Sequence, residues 1–462
     1  MDPELNEQPD REEQAELGAA PDADELEAML EQGDPATIRR FLRTLHPADL
    51  ALLFDRVDED LWPRLVANLA TGELSDLMEE LDDHLRDDLA ALLKRDQLVR
   101  VLGEMDSDDA ADVLADLPDA MARDLLRGMS RDDRREVESL LRYPEDTAGG
   151  IMQVELVSVR EDATVDQAIE AIRANTEEVQ AVHFVFMVDD RERLIGLLPL
   201  DQLLLAKPDT RVGEVALREF WTVRPETDQE EVALMFKRYD LVSMAVVDAD
   251  DTLLGRITYD DVIDVLEEEI EEDILRMEGL EEPELVYSNR VLKIASVRLP
   301  WLLATMAGTL ISGFIVQQFT LTFPELLALL SFVPVIAAMG GNIGSQSSTI
   351  VVRGFATGRI DFSNLGRFLL REMIIGALIG LCCGLVVGMV AYAWHGQPML
   401  GLTVSLALLL AIAFSAVTGV VIPFFFRLLR VDPAIAAGPL VTTGNDILGL
   451  VLYYGISIML LR

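Results

Sequence analysis

The sequence predicts a multidomain α plus α/β membrane protein: an acidic helical-repeat N-domain, a tandem α/β pair, an acidic connecting helix and a five-helix transmembrane domain. Three observations carry that prediction. Charge is segregated, because of 81 acids and 38 bases in 462 residues the first 300 hold 76 and 31, leaving the remainder apolar and almost neutral. An apolar pattern recurs every 24 residues near the start, and five apolar stretches long enough to cross a ~30 Å hydrocarbon core close the chain.

Residues 1–23 form an acidic, Pro- and Glu-rich leader, expected to be disordered, with no signal-peptide pattern. The N-domain is placed at 24–146. Val57, Leu81, Met105 and Met129 stand in one column, Leu65, Leu89, Val113 and Val137 in another, and Leu77, Val101 and Leu125 in a third. Apolar residues three and four apart are helical, and a unit this short must stack on its neighbours to bury its face. The outer faces are acidic, as in Asp106-Ser-Asp-Asp-Ala-Ala-Asp112. Asp108 and Asp112, one turn apart, would share a face and could hold a hydrated divalent ion; an ordinary solvated face accounts for the run equally well.

Two α/β units follow, placed at 147–210 and 211–261. Val157-Ser-Val-Arg160 matches Trp221-Thr-Val-Arg224, each leading into an amphipathic helix. Phe184 to Val188 then matches Ser243 to Val247, and Leu194 to Asp201 matches Leu253 to Asp260. This pattern resembles paired CBS (cystathionine β-synthase-type) modules, in which a Ser/Thr-x-x-Asp segment often holds a nucleotide ribose. The second unit offers Thr258-Tyr-Asp-Asp261, whereas the first has Pro199 at the hydroxyl position. The resemblance therefore implies ATP as a candidate ligand at Thr258 and Asp261, with a purely structural pair as the alternative. Residues 262–285 read as an acidic connecting helix and linker, with Val262, Val265, Leu266, Ile270 and Ile274 in one stripe.

The transmembrane domain is placed at 290–462, with spans near Pro300–Phe319, Leu326–Val351, Leu369–Trp394, Leu402–Phe425 and Ala434–Leu461. Basic residues precede the first span, surround the second-to-third connection and follow the fourth, and the other connections have none. The positive-inside rule then puts the N-terminal domains in the cytoplasm and the C-terminus outside an inner (cell) membrane. The last span carries Asp446 after Thr442-Thr-Gly-Asn. A carboxylate at membrane depth is costly unless it faces a partner or water, so Asp446 is expected to line a cation pathway, the alternative being a protonated or paired structural carboxylate. The second span holds Pro334 and Gly340-Gly-Asn342-Ile-Gly-Ser-Gln346, read as a loosened helix with neutral oxygens or as a small-residue packing face.

The Gly340–Gln346 and Thr442–Asp446 runs, Asp432-Pro433 and the order of parts resemble the MgtE family of magnesium channels, sometimes called transporters, over nearly the whole chain. That resemblance implies a homodimer in membrane lipid with a pore at the subunit interface. Asp446 would bind hydrated Mg2+ there, assisted by Thr442, Thr443, Asn445 and Asn342. It also implies regulation by cytosolic Mg2+ through Asp228, Glu230, Asp240, Asp261, Asp264, Glu269, Glu272, Asp273 and Asp432, with Asp108 and Asp112 placed less surely, and a connecting "plug" helix that closes the pore when Mg2+ is plentiful.

Several classes are disfavoured. The acidic half would repel nucleic acid. The two cysteines, Cys382 and Cys383, are adjacent in an apolar span, and four scattered His form no cluster. Neither a Walker loop nor a His-Glu-x-x-His motif is present, so no enzyme is expected. A carrier for Co2+, Ni2+ or Mn2+ keeps the fold but lacks the imidazole and thiolate those ions favour. A CBS-controlled receptor would need no carboxylate in mid-span.

Overall fold

The computed structural model describes residues 23–175, 182–277, 280, 291–360 and 362–461, so the leader and most of the linker after the connecting helix lie outside the described residues. The chain divides into two compact units, with the boundary between Val262 and Ile263.

The first unit begins with short helices, none longer than ten residues. They include α1 (Thr71–Glu79) and α2 (Ser107–Asp116). The 24-residue columns form their core: Val57, Leu81, Met105 and Met129 are buried, as are Leu65, Leu89, Val113 and Val137. The repeat is thus a packing period, one helix pair per unit.

The α/β pair follows with matched topology. β1 (Ser158–Arg160) runs parallel to β2 (Phe184–Val188), which pairs antiparallel with β3 (Leu194–Pro199). β4 (Thr222–Val223), β5 (Ser243–Val247) and β6 (Leu253–Thr258) repeat this, and both hairpins shift register at the same place, at Met187/Val188 and Val246/Val247. Each sheet carries a helix between its parallel strands, α3 (Val165–Ala174) and α4 (Gln229–Tyr239). Phe186, Leu194 and Leu197 of one module pack with Ala245 and Val247 of the other. α5 (Tyr259–Met277) starts directly from β6, three residues before the predicted connecting helix.

Among the described residues, the second unit contains five apolar helical stretches of membrane-spanning length, four of them longer than the sequence pattern suggested. α6 (Val291–Thr322) is followed by a 3-10 stretch, Pro324–Phe332, that leads into α7 (Val333–Ala356). α7 runs unbroken through Gly340 and Gly341, so the expectation of a loosened helix fails: Pro334 sits in its first turn, where its missing N–H is harmless. α8 (Leu365–His395) and α9 (Pro398–Leu428) pack backbone to backbone. A Cβ at Gly380 would meet the Leu409 carbonyl at 2.8 Å, and one at Gly384 the Ser405 carbonyl at 2.6 Å, while the Ser405 hydroxyl donates to the Gly384 carbonyl at 2.8 Å.

The last span is shorter than the expected Ala434–Leu461. Ala434–Ala437 forms one turn, Gly438 leaves the helical region at φ −91°, ψ −105°, and α10 (Pro439–Leu461) begins there. The Thr442 hydroxyl donates to the Gly438 carbonyl at 3.1 Å and satisfies part of the break. At the opposite end of the helix the Tyr453 hydroxyl donates to the Leu329 carbonyl of the 3-10 stretch at 2.8 Å, and Tyr454 stacks on Phe319.

Candidate ion pathway and acidic cluster

α10 buries the stripe Val441, Asn445, Gly449, Tyr453 and Ser457, spaced four apart. Asp446 lies one position round the helix from that stripe, half-buried, and makes no hydrogen bond or ion pair among the described residues. The helix opposite it is α7 at Gly341, where a Cβ would stand 3.1 Å from Thr442 Cγ2 and 3.7 Å from Asp446 Oδ1. Glycine there leaves room beside the carboxylate. Asn342 is exposed on α7, while Thr443 is partly buried against Gly308 of α6.

Asn445 departs from its expected place among the pore groups. It is 1 % exposed, accepts a hydrogen bond from the Thr418 hydroxyl of α9, and packs against Gly344. The side chain one residue from a site on a helix is rotated by ~100°, which puts Asn445 in the packing face and not beside Asp446. Two membrane residues escaped the sequence reading. Thr418 carried no signal. Glu372 did, as an acid inside the third predicted span: it is buried in α8 and accepts from the Ser347 hydroxyl of α7 at 3.1 Å.

The first unit holds a second concentration of carboxylates. Ser107, at the start of α2, donates its backbone N–H to Glu155 at 3.1 Å and its hydroxyl at 2.7 Å, and the Val154 N–H donates back to Ser107 Oγ at 3.2 Å. Gln153 meanwhile pairs with Arg256 on β6 and lies 3.4 Å from Asp261. These bonds draw Asp106, Asp108, Asp109, Glu155 and Asp261 together, with Glu79 of α1 adjoining Asp106 and Asp109. Burial is the first cause of a raised pKa at every one of them. It pushes Glu79 to about 7 and Asp261 to about 6, and holds Asp108 and Asp109 well above the usual carboxylate range, neighbouring carboxylates adding to it. Arg256 and Arg86 partly offset this at Asp106 and Asp109.

The sequence pairing of Asp108 with Asp112 is only half right. Asp108 is buried with Oδ1 unpartnered, whereas Asp112 is only partly buried, and the groups nearest Asp108 include Asp106, Asp109 and Asp261. The helical i,i+4 rule missed Glu155 and Asp261, which reach the first turn of α2 from segments distant in sequence, while Asp112 adjoins the group through Asp109. Among the described residues no group of three or more His, Cys, Asp or Glu is arranged as a ready metal site.

Other predicted regulatory residues lie apart. Asp228 caps α4 by accepting the Glu230 N–H at 2.9 Å, and Asp240 closes the same helix in a left-handed conformation, φ 51°. An 11-residue helix separates the two by ~16 Å. On α5, Asp264 and Glu269 precede a tighter group: Arg276 pairs with Glu272 and reaches Asp432 at 2.6 Å. Burial, then Asp432, raises Asp273 to about 6, and burial raises Glu272 despite Arg276. Asp432 also caps the Ala434 turn at 2.8 Å.

For a nucleotide, Asp261 Oδ2 accepts both the Thr258 N–H at 3.0 Å and its hydroxyl at 2.6 Å. The two residues expected to hold a ribose thus bond to each other through Asp261 Oδ2, which leaves Asp261 Oδ1 and the Thr258 hydroxyl oxygen with acceptor capacity.

Among the described residues, five apolar helices with an unpartnered carboxylate in one of them, together with a carboxylate-rich first unit, define a multi-pass membrane protein that handles cations. The chain belongs to the MgtE family. The family profile described as a divalent cation transporter matches residues 333–456, the MgtE intracellular N domain profile matches 45–146, and CBS profiles match 148–209 and 212–268. It is a family of transporters, not enzymes. The chain is similar to the magnesium transporter MgtE of Thermus thermophilus, 40% identical over 71% of this chain and 73% of the relative. It is 32% identical to that of Bacillus subtilis over 72% and 73%. A crystal structure of the cytosolic domain of the Mg2+ channel MgtE in complex with ATP covers 53% of this chain and 99% of its own, at 34% identity and TM-score 0.50. One of the soluble part of a magnesium transporter covers 54% and 99%, at 28% and 0.50.

Proposed function

We propose that this protein carries Mg2+ into the cell through the membrane unit and that its acidic cytoplasmic part senses Mg2+ and closes the pathway when the ion is plentiful. The observation that carries the reading is Asp446, a half-buried carboxylate without a partner among the described residues, beside the bare backbone of Gly341. Mg2+ dehydrates reluctantly, so a pathway for it needs few carboxylates and room for water. In a homodimer two Asp446 would face each other across the twofold axis, an outer-sphere filter with Thr442, Thr443 and Asn342 meeting the ion's water.

Sensing follows from the carboxylates gathered around Asp108 and Asp261, with Asp106, Asp109 and Glu155, and from Glu272, Asp273 and Asp432. Asp228, Glu230, Asp240, Asp264, Glu269 and Asp112 remain candidates by the family resemblance. An ion that binds only a compact state favours it by RT ln(1 + [L]/Kd) per site, about 1.4 kcal/mol for each tenfold rise in free ion above Kd. Several weak sites acting together would make closure steep.

A broader divalent selectivity is the second reading, favoured by the family description itself. ATP at the CBS pair rests on the relative's complex, and no step of the mechanism passes through it. The cytoplasmic placement of the first unit and the external C-terminus rest on the distribution of Arg and Lys.

The test is Mg2+ uptake into proteoliposomes by the parent, Asp446→Ala and Asp446→Asn. Uptake by the parent alone, all three being folded, is the expected result. Equal uptake by all three would make Asp446 structural, and uptake of Co2+ or Mn2+ as fast as Mg2+ would favour the broader carrier.

A further inference from the structure

Glu372 is 3 % exposed in α8, among residues of membrane-spanning length. Its carboxylate accepts the Ser347 hydroxyl on one oxygen, while the largely exposed Arg371 guanidinium lies 3.4 Å from the other. Such a group is expensive to bury, and an apolar pair of the same shape would hold two helices together as well or better. Packing alone therefore does not account for it.

The helix it grips is α7, whose contact face toward α9 and α10 is built from Gly340, Gly341 and Gly344. Gly344 abuts Asn445, and Gly341 faces Thr442 and Asp446. Glycines allow this close approach but have no side chains to interlock, so they resist rotation or sliding of α7 weakly. Ser347 lies one turn beyond Gly344 on the same face, and it is the point where α7 is tied by a hydrogen bond to a charge.

We propose that Glu372 is a positioning residue for the ion pathway: by holding Ser347 it fixes the rotation and height of α7 against α10, and thus the gap between Gly341 and Asp446. The inference rests on the reading of Asp446 as the ion site. It concerns the geometry of that site and not the presence of a carboxylate in it.

The experiment measures initial Mg2+ uptake against external Mg2+ in proteoliposomes for the parent, Glu372→Ala, Glu372→Gln, Ser347→Ala and the Glu372→Ala/Ser347→Ala double variant, normalised to folded protein. Loss of one hydrogen bond to a charge predicts that Glu372→Ala and Ser347→Ala each raise half-saturating Mg2+ about tenfold, with maximal flux changed less than about twofold. The double variant should be no worse than either single one, because both remove the same bond. Glu372→Gln keeps an acceptor for Ser347 and should stay close to the parent. Should Glu372→Ala fail to fold, Ser347→Ala decides alone. Unchanged half-saturation in Ser347→Ala, or effects of the two single variants that multiply, would overturn the proposal while leaving Asp446 as the ion site. A parent without Mg2+ uptake would remove both.

Discussion

At the scale of single residues, burial explains more than charge count does. Glu79 and Asp261 have pKa values near 7 and 6 because burial disfavours the ionised carboxylate. Each binds its proton more tightly in the folded state than in the unfolded chain. The stability they contribute is complete below their unfolded values near pH 4 and is lost as pH rises through about 6 to 7. In chelator, hydrogen exchange across residues 23–262 of the full chain, expressed relative to the intrinsic base-catalysed amide rate at each pH, should therefore quicken between pH 5 and pH 8. Added Mg2+ should slow it more at pH 8 than at pH 5; equal protection at both pH values would separate the cluster from cation binding. Asp108→Asn should reduce that pH dependence, since it removes a buried carboxylate with an unpartnered oxygen. Tyr453→Phe leaves the buried Leu329 carbonyl without its donor and should cost about 1–2 kcal/mol of stability, measured by unfolding in detergent.

At the scale of elements, periodicity was a good guide wherever one face is buried. The columns through Val57, Leu65 and Leu77 marked the N-domain core, and the duplicated Val157 and Trp221 segments marked the two sheets, because buried faces force regular spacing. It failed where an element changes direction without changing composition: Gly438 breaks the helix inside an apolar run, and 3-10 geometry at Pro324–Phe332 reads like ordinary span. Asp446 was legible as a lone carboxylate in an apolar helix. Asn445 was not, since the residue type suits a pore and a packing face equally. The group around Asp108 was legible only as a charged run, because its assembly depends on Glu155 and Asp261, distant in sequence. On α5, Arg276→Gln removes the bond to Asp432 and should make amides 263–277 exchange about tenfold faster, a difference that shrinks at high salt.

At the scale of the whole molecule, the sequence divides its labour by charge. The first 300 residues are strongly acidic and the rest nearly neutral, so self-repulsion is confined to the chain ahead of the spans. The arrangement of Arg and Lys around the spans predicts that a cysteine placed at Gln397, between α8 and α9, is labelled from outside intact cells and one at Arg359 is not, in a background with Cys382 and Cys383 replaced by serine. Labelling of both from one side would invalidate that topology.

The contact between α8 and α9 fixes how closely two neighbouring helices approach. With glycines at 376, 380, 384 and 388 seated against the opposing main chain, the two helices have no side-chain layer to shear through. A methyl group at Gly380 or Gly384 would have to push the two main chains apart, so the spacing of this pair is set by the absence of side chains at those positions.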